Sequence, residues 1–254
     1  MPKALNESLL ADFAGRLVTW QRAHGRHDLP WQENRDPYRV WLSEVMLQQT
    51  QVSTVISYYL RFLQAFPTVT DLANAAPDQV MALWTGLGYY SRARNLHRCA
   101  QQVVGDWGGQ FPRRSADLVT LAGIGPSTAA AIASICFNER VAIFDGNVQR
   151  VLARHLAFEG DVSQTTAVRE LRAWAGHALP EAEHMPTYTQ AIMDLGATVC
   201  TPRQPGCGRC PVAEDCQALA QNRVVELPRK TRKIRRQSQS WWLLMVDRKS
   251  TRLN

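Results

Sequence analysis

Residues 121–132 are LAGIGPSTAAAI, in which two glycines and a proline separate two helical patterns. Gly123 and Gly125 permit positive φ and close approach of the backbone. Pro126 suits the first turn of a following helix, where no N–H donor is needed. Because the N–H groups of such a turn face outward, they can hold a DNA phosphate without reading the base sequence. The pattern predicts a phosphate-binding helical hairpin, with an ordinary helix–helix turn as the alternative.

Apolar residues recur at helical spacing on both sides of this hairpin. In residues 52–63 they occupy Val52, Val55, Ile56, Tyr59, Leu60 and Leu63, the pattern of one buried helical face. Further helices are predicted around residues 9–24, 41–50, 71–83, 91–106, 115–122, 127–137, 147–158, 164–179 and 187–199. Because alternating strand patterns are lacking before residue 222, we expect an all-α fold.

Composition restricts the class of protein. The 254 residues contain no apolar run long enough to span a membrane, and the N-terminus resembles an amphipathic helix more than a secretory signal. We therefore expect a cytoplasmic, bacterial-type protein. The net charge of +7 is uneven, because residues 223–254 carry ten Lys and Arg against two Asp and Glu, and residues 1–222 carry a net charge of −1. Local motifs must therefore support DNA binding, since the charge of the body does not.

Four of the six cysteines are crowded into seventeen residues, with the spacing C-x6-C-x2-C-x5-C. In a reducing compartment such a group predicts metal ligands before disulfides. The staggered spacing of Cys200, Cys207, Cys210 and Cys216 favours a cubane iron–sulfur cluster, and a structural zinc site is the alternative. Arg203 and Arg209, between these cysteines, are candidate phosphate contacts.

Two carboxylates are candidates for acid–base chemistry. Glu44 is the only acidic residue between Asp36 and Asp71 and lies among Trp41, Val45, Met46 and Leu47. An apolar environment raises the pKa of a carboxyl group and makes it a candidate general acid near neutral pH. Asp145 opens DGNVQRVLARHLAF, where it suits a helix N-cap. A surface Glu and a purely capping Asp are the structural alternatives.

Five motifs in this order resemble those of the adenine DNA glycosylases, the MutY family of the helix-hairpin-helix superfamily. They are WLSEVMLQQTQV, LWTGLGYYSRARNL, LAGIGPSTAAAI, FDGNVQRVLAR and the four-cysteine segment. The resemblance covers residues 29–216. It implies a two-lobed fold, with a six-helix barrel lobe over residues 29–138 and an iron–sulfur cluster lobe over residues 1–28 and 139–222.

The resemblance also implies the reaction. The partner would be double-stranded DNA with adenine opposite 8-oxoguanine or guanine, bound by a monomer with a [4Fe-4S] cluster. Glu44 would protonate adenine N7, and Asp145 would stabilise the sugar cation, directly or through a covalent intermediate. Asn147 would position water and the sugar.

Further positions match the adenine pocket and the groups that enter the duplex. Trp31, Gln32 and Gln190 would line the pocket, with Ser127 beside them. Gln49, Leu87 and Tyr89 would wedge into the duplex and probe the opposite base. Endonuclease III-type relatives carry a Schiff-base Lys where this chain has Ser127, whose hydroxyl cannot form an imine. The sequence therefore predicts a monofunctional glycosylase.

Two other functions are kept as alternatives. An endonuclease III-type glycosylase of pyrimidine lesions would share the hairpin, Asp145 and the cluster. A non-catalytic iron–sulfur DNA-binding module would have no use for Glu44 and Asp145 beside phosphate. After the body, residues 223–240 are predicted to form a basic linker and residues 241–254 the start of a truncated C-terminal domain.

Overall fold

The computed structural model describes residues 3–231 and 239–240. The predicted start of a C-terminal domain, residues 241–254, lies outside the described residues. Over the described ranges the secondary structure is helical, without strands, so the all-α prediction is confirmed. No helix in the described part of the chain is long and apolar enough to cross a membrane.

The α-helices are α1 (Lys3–Leu10), α2 (Phe13–His24), α3 (Pro37–Leu47), α4 (Val52–Ala65), α5 (Val69–Asn74), α6 (Pro77–Trp84), α7 (Ser91–Trp107), α8 (Ser115–Leu118), α9 (Pro126–Phe137), α10 (Gly146–His155), α11 (Thr165–His177), α12 (Met185–Asp194) and α13 (Gln217–Ala220). Short 3-10 turns occur at Pro30–Gln32, Ala182–His184 and Cys207–Arg209, and a π-helical turn at Leu195–Val199 follows α12. The helix predicted over 71–83 is two helices, because Pro77 begins α6 and its preceding residue is extended.

Two hydrophobic cores hold these helices. The first contains Trp41 of α3, Phe62 of α4 and Trp84 of α6, all fully buried. The second contains Phe13 of α2, together with side chains of α10, α11 and α12. Helix α2, near the N-terminus, therefore packs with the second half of the chain, as a two-lobed fold requires. The residue limits of the two lobes stay predictions.

Helix α9 joins the two cores. Ile132 packs in the first core and Ala131 in the second. Between α9 and α12, Thr189 donates a hydrogen bond to Ser134 at 2.9 Å, and both hydroxyls are buried. A buried pair of this kind satisfies both polar groups and fixes how the helices face each other. The two cores are therefore joined through α9 and its contact with α12.

The hairpin precedes α9 and sits on α7. Gly123 has φ 76°, and a Cβ at this position would lie 2.7 Å from the Cβ of Asn95. Both the left-handed backbone and the close approach require glycine here. Gly125 caps α9, and Pro126 occupies its first turn, as the sequence predicts.

The first residues of the predicted linker lie on the second lobe. Leu227 is buried against Ala157 and Ala218. Arg223 and Arg229 both pair with Glu159, and Arg223 also pairs with Glu226, so two cations of the basic segment have carboxylate partners within the chain.

An ion pair attaches the chain after α2 to the end of α12. Asp194 is 1% exposed and accepts from the Arg26 guanidinium at 2.6 and 2.8 Å. We expect Arg26→Met to lower the free energy of unfolding by about 2 to 3 kcal/mol, because a buried carboxylate loses its charged partner. The exposed Arg22→Met is the control, expected to change stability by less than about 0.5 kcal/mol in urea unfolding followed by circular dichroism. Equal effects of the two changes would contradict the role of this pair.

Candidate active site

A cavity of about 210 Å³ lies where the two lobes meet. Trp31, Gln32 and Glu44 line it from the first lobe, and Gln190 lines it from α12. The structure thus brings Gln190 together with Trp31, Gln32 and Glu44, which lie far earlier in the sequence, as predicted for a shared site. Ser127, in the first turn of α9, is not among the residues that line this cavity.

Glu44 lies on α3, whose start is fixed by local chemistry. Asp36 caps the helix by accepting from the Arg39 N–H at 2.9 Å, and Pro37 occupies the first turn. The neighbouring Ser43, Val45 and Met46 are buried. Burial raises the pKa of Glu44 to about 7, and the negative charge of Asp145 adds to the rise. Half of such carboxyls carry a proton at neutral pH, which suits a general acid.

Asp145 caps α10, and its negative charge acts on Glu44, although Asp145 is not among the residues that line the cavity. Its Oδ1 accepts from the N–H groups of Asn147 at 2.9 Å and Val148 at 2.8 Å. Its Oδ2 has only a long contact of 3.5 Å with the Asn147 side-chain amide. The helix N-terminus favours a negative charge at this place. Oδ1 therefore caps the helix, while Oδ2 stays available to interact with a cation.

Asn147 is held by a residue that sequence reasoning missed. Its Oδ1 accepts from Arg150 at 2.8 Å, and Arg150 also donates to the carbonyls of Gly196 and Cys200, both at 2.7 Å. A Cβ on Gly196 would lie 2.7 Å from the Asn147 Cβ, so α10 packs tightly on the π-helical turn. Hydrogen bonds therefore connect Asp145 to the backbone of a cysteine in the second lobe.

Gln190 is positioned by the Arg26–Asp194 pair. Its side-chain amide donates to Asp194 at 2.9 Å, and Arg26 also lines the cavity. Arg26 and Asp194 are 168 residues apart, so no sequence spacing reveals their pairing. Their contribution to the site could not be predicted from local patterns.

The four clustered cysteines line one small cavity of about 30 Å³ in the second lobe. Arg154 donates to the Cys200 sulfur at 3.3 Å, and Val199 and Val212 form apolar walls. Thiolates with an adjacent cation and apolar walls suit an anionic iron–sulfur cluster. Within residues 3–231, no three Cys, His, Asp or Glu side chains form a group that could hold a single metal ion.

The predicted duplex contacts lie outside this cavity. Gln49 and Tyr89 are exposed and have positive φ, 57° and 48°. Arg203 and Arg209 are exposed beside the cysteines, and Arg209 donates to the Thr198 carbonyl at 2.6 Å. Leu87 is different, because it is only 5% exposed and packs in the first core. Its contact with DNA stays a prediction.

Proteins of known family are similar to this chain in sequence. Residues 42–176 match the family model described as HhH-GPD superfamily base excision DNA repair protein. The chain is 46% identical over 215 residues to the adenine DNA glycosylase of Homo sapiens, covering 81% of this chain and 39% of that protein. It is 36% identical over 240 residues to the adenine DNA glycosylase of Buchnera aphidicola subsp. Baizongia pistaciae (strain Bp), covering 94% and 67% respectively. The chain thus spans well under half of the human relative.

Solved structures share the fold. A thermostable thymine-DNA glycosylase superposes with a TM-score of 0.75 at 25% identity, over 84% of this chain and 98% of that one. A non-covalent endonuclease III–DNA complex superposes with a TM-score of 0.70 at 19% identity, over 87% and 99%.

The chain belongs to the HhH-GPD superfamily of base excision DNA repair proteins. Within that superfamily, its sequence relatives are adenine DNA glycosylases, and the resemblance drawn from the five motifs is confirmed. The predicted helix-hairpin-helix glycosylase fold is confirmed as well.

The raised pKa of Glu44 has a consequence for stability. Because the folded chain holds this proton more tightly than the unfolded chain, stability falls as pH rises from the ordinary value of 4.5 towards 7. Glu44→Gln has no proton to lose. Its stability relative to the parent should therefore increase by about 2 kcal/mol between about pH 5 and about pH 8.

Urea unfolding at several pH values measures this difference. Glu33→Gln is the control, because Glu33 is 69% exposed and the change also removes one carboxyl group. If the difference in unfolding free energy between Glu44→Gln and the parent does not vary with pH, the raised pKa of Glu44 is contradicted.

Proposed function

We propose that this chain hydrolyses the N-glycosidic bond of adenine mispaired with 8-oxoguanine or guanine in double-stranded DNA. One observation carries the proposal: Glu44, with a pKa of about 7, lines a cavity between the lobes and lies within electrostatic reach of Asp145. Cleavage of a glycosidic bond needs an acid and a carboxylate, and the charge of Asp145 acts on Glu44. The adenine DNA glycosylase relatives support adenine as the base.

The cavity suits a purine that has left the base stack. Trp31 offers an aromatic surface, while Gln32 and Gln190 offer amide donors and acceptors to the edge of the base. A duplex base cannot reach a pocket between two lobes without leaving the helix. Gly123 and Gly125 of the hairpin, with Arg203 and Arg209, would hold phosphates of the same duplex.

The reaction then divides between the two carboxyl groups. Glu44 donates its proton to adenine N7 as the C1′–N9 bond breaks, and the bonding electrons leave with the neutral base. The Asp145 carboxylate stabilises the positive charge that develops on the sugar. A water held by Asn147 adds its oxygen to C1′ and gives a proton to the Glu44 carboxylate. The products are adenine and an abasic sugar, and Glu44 is protonated again.

Ser127 limits the reaction to hydrolysis. A lyase of this superfamily needs an amine that forms an imine with the sugar, and a hydroxyl cannot replace it. The strand therefore stays intact after base release. We further propose that the chain acts as a monomer in the cytoplasm, on nucleoid DNA.

Cys200, Cys207, Cys210 and Cys216 would hold a [4Fe-4S] cluster. Their shared cavity and the Arg154 hydrogen bond to sulfur support a metal centre here, and the staggered cysteine spacing favours iron–sulfur over zinc. A bound cluster would cross-link the loops that follow α12, and so fix the backbone to which Arg150 is bonded.

Base release from a duplex with adenine opposite 8-oxoguanine or guanine tests the proposal. We expect Glu44→Gln to slow the single-turnover rate by about a thousandfold or more, because the leaving base loses its acid. The parent rate should fall by about tenfold per pH unit above about pH 7, where Glu44 loses its proton.

The matched control is the exposed Glu33→Gln, which should retain the parent rate. Product strands should break only after alkali treatment. Undiminished release by Glu44→Gln would refute its role, and release of thymine but not adenine would favour the chemistry of the thymine-DNA glycosylase neighbour.

Metal analysis of the purified chain tests the cluster. We expect about four iron atoms and equivalent sulfide per chain, with broad visible absorption. Cys210→Ser should reduce the iron content, while Cys99→Ser, a change of a buried thiol in the other lobe, should leave it unchanged. Zinc without iron would contradict the assignment.

A further inference from the structure

Arg92, at the start of α7, is a buried arginine outside the active-site cavity, with 8% of its surface exposed. One guanidinium nitrogen donates to the carbonyls of Val45 at 2.9 Å, Met46 at 2.9 Å and Gln48 at 2.8 Å. These carbonyls lie at the end of α3, where the helix leaves acceptors unpaired and favours a positive charge. Arg92 therefore caps the helix that carries Glu44.

The second guanidinium nitrogen contacts a different part of the chain. It donates to the carbonyls of Leu87 at 3.3 Å and Gly88 at 3.4 Å, and also to the Thr50 hydroxyl at 3.2 Å. The Arg92 backbone N–H donates to the Tyr89 carbonyl at 2.9 Å. One side chain thus joins the α3–α4 loop, residues 48–51, to the α6–α7 loop, residues 85–90.

Each of these loops carries a residue in an unfavourable backbone conformation. Gln49 has φ 57° and Tyr89 has φ 48°, values that side-chain-bearing residues rarely adopt. Such conformations persist only where the surroundings hold them. The partners of Arg92 flank Gln49 on both sides, and its guanidinium lies 5.5 Å from the centre of the Tyr89 ring. The Tyr89 ring is nevertheless 59% exposed.

The hairpin meets the same turn of α7. Asn95, one turn after Arg92, is the residue against which Gly123 packs. Gln49, Tyr89, Arg92, Asn95 and Gly123 together line a cavity of about 240 Å³. The two loops and the hairpin therefore share one support, although their segments are far apart in sequence.

We propose that Arg92 is a positioning residue that clasps the two loops, so that Gln49 and Tyr89 enter the duplex as one unit when the adenine leaves the stack. This role rests on the proposed function of the cavity. It requires arginine, because the two terminal nitrogens of the planar guanidinium present four N–H donors in a fixed fork that reaches both loops. A lysine keeps the charge but has a single compact ammonium group and cannot span them.

Arg92→Lys tests this role, with Arg98→Lys as the matched control because Arg98 is exposed on the same helix. The probe is a duplex with 2-aminopurine beside the mispaired adenine, since its fluorescence rises when neighbouring bases unstack. We expect Arg92→Lys to slow the fluorescence rise and the single-turnover base release by about tenfold or more, since several hydrogen bonds are lost. Affinity for an undamaged duplex should change by less than about twofold, because phosphate contacts remain.

Thr50→Val is the second variant, and it removes one acceptor of the clasp at a partly exposed site. It should slow unstacking by about three- to tenfold without lowering the melting temperature, and it decides the question if Arg92→Lys fails to fold. The proposal is overturned if a folded Arg92→Lys variant unstacks the duplex at the parent rate. If Arg92→Lys does not fold, the same result for Thr50→Val overturns it. The fluorescence reports unstacking whether or not the base is released. A parent that unstacks the duplex but releases no adenine would therefore refute the proposed function, and the role of Arg92 would still be tested by the unstacking rates of the same variants.

Discussion

A carboxyl group is held out of water where two separately packed cores meet, and the rest of the site depends on this desolvation. Glu44 lies on a helix that buries Trp41, Leu42 and Met46 in the first core, so its environment is set by packing that cannot easily relax. The second lobe closes the cavity through α12 and supplies the charge of Asp145.

Several polar groups in this structure serve the fold and the site together. Asp145 begins α10 and also faces the candidate acid. Asp194 binds Arg26 across 168 residues and orients Gln190 in the cavity. Because these groups are bonded at fixed places, the proposed chemistry needs little rearrangement of the protein when charge develops on the sugar.

Much of the molecule could be predicted from the sequence because its signals are local. Helical periodicity predicted the all-α fold, and the glycines with Pro126 predicted the hairpin. Pairings between distant segments could not be predicted, since neither Arg92 nor Arg150 lies in a pattern that identifies its partners. Leu87 shows a further limit, because a motif position does not reveal whether its side chain faces the core or the solvent.

Direct titration of the Glu44 carboxyl tests the central claim. Carbon-13 NMR of the chain labelled at glutamate, with Glu44→Gln to assign the signal, gives its pKa without DNA or catalysis. A midpoint of about 7 is predicted, with a lower value in Asp145→Asn because the neighbouring negative charge is removed. A midpoint near the ordinary value of 4.5 would contradict the account, since Glu44 would then be ionised at neutral pH and unable to serve as the acid.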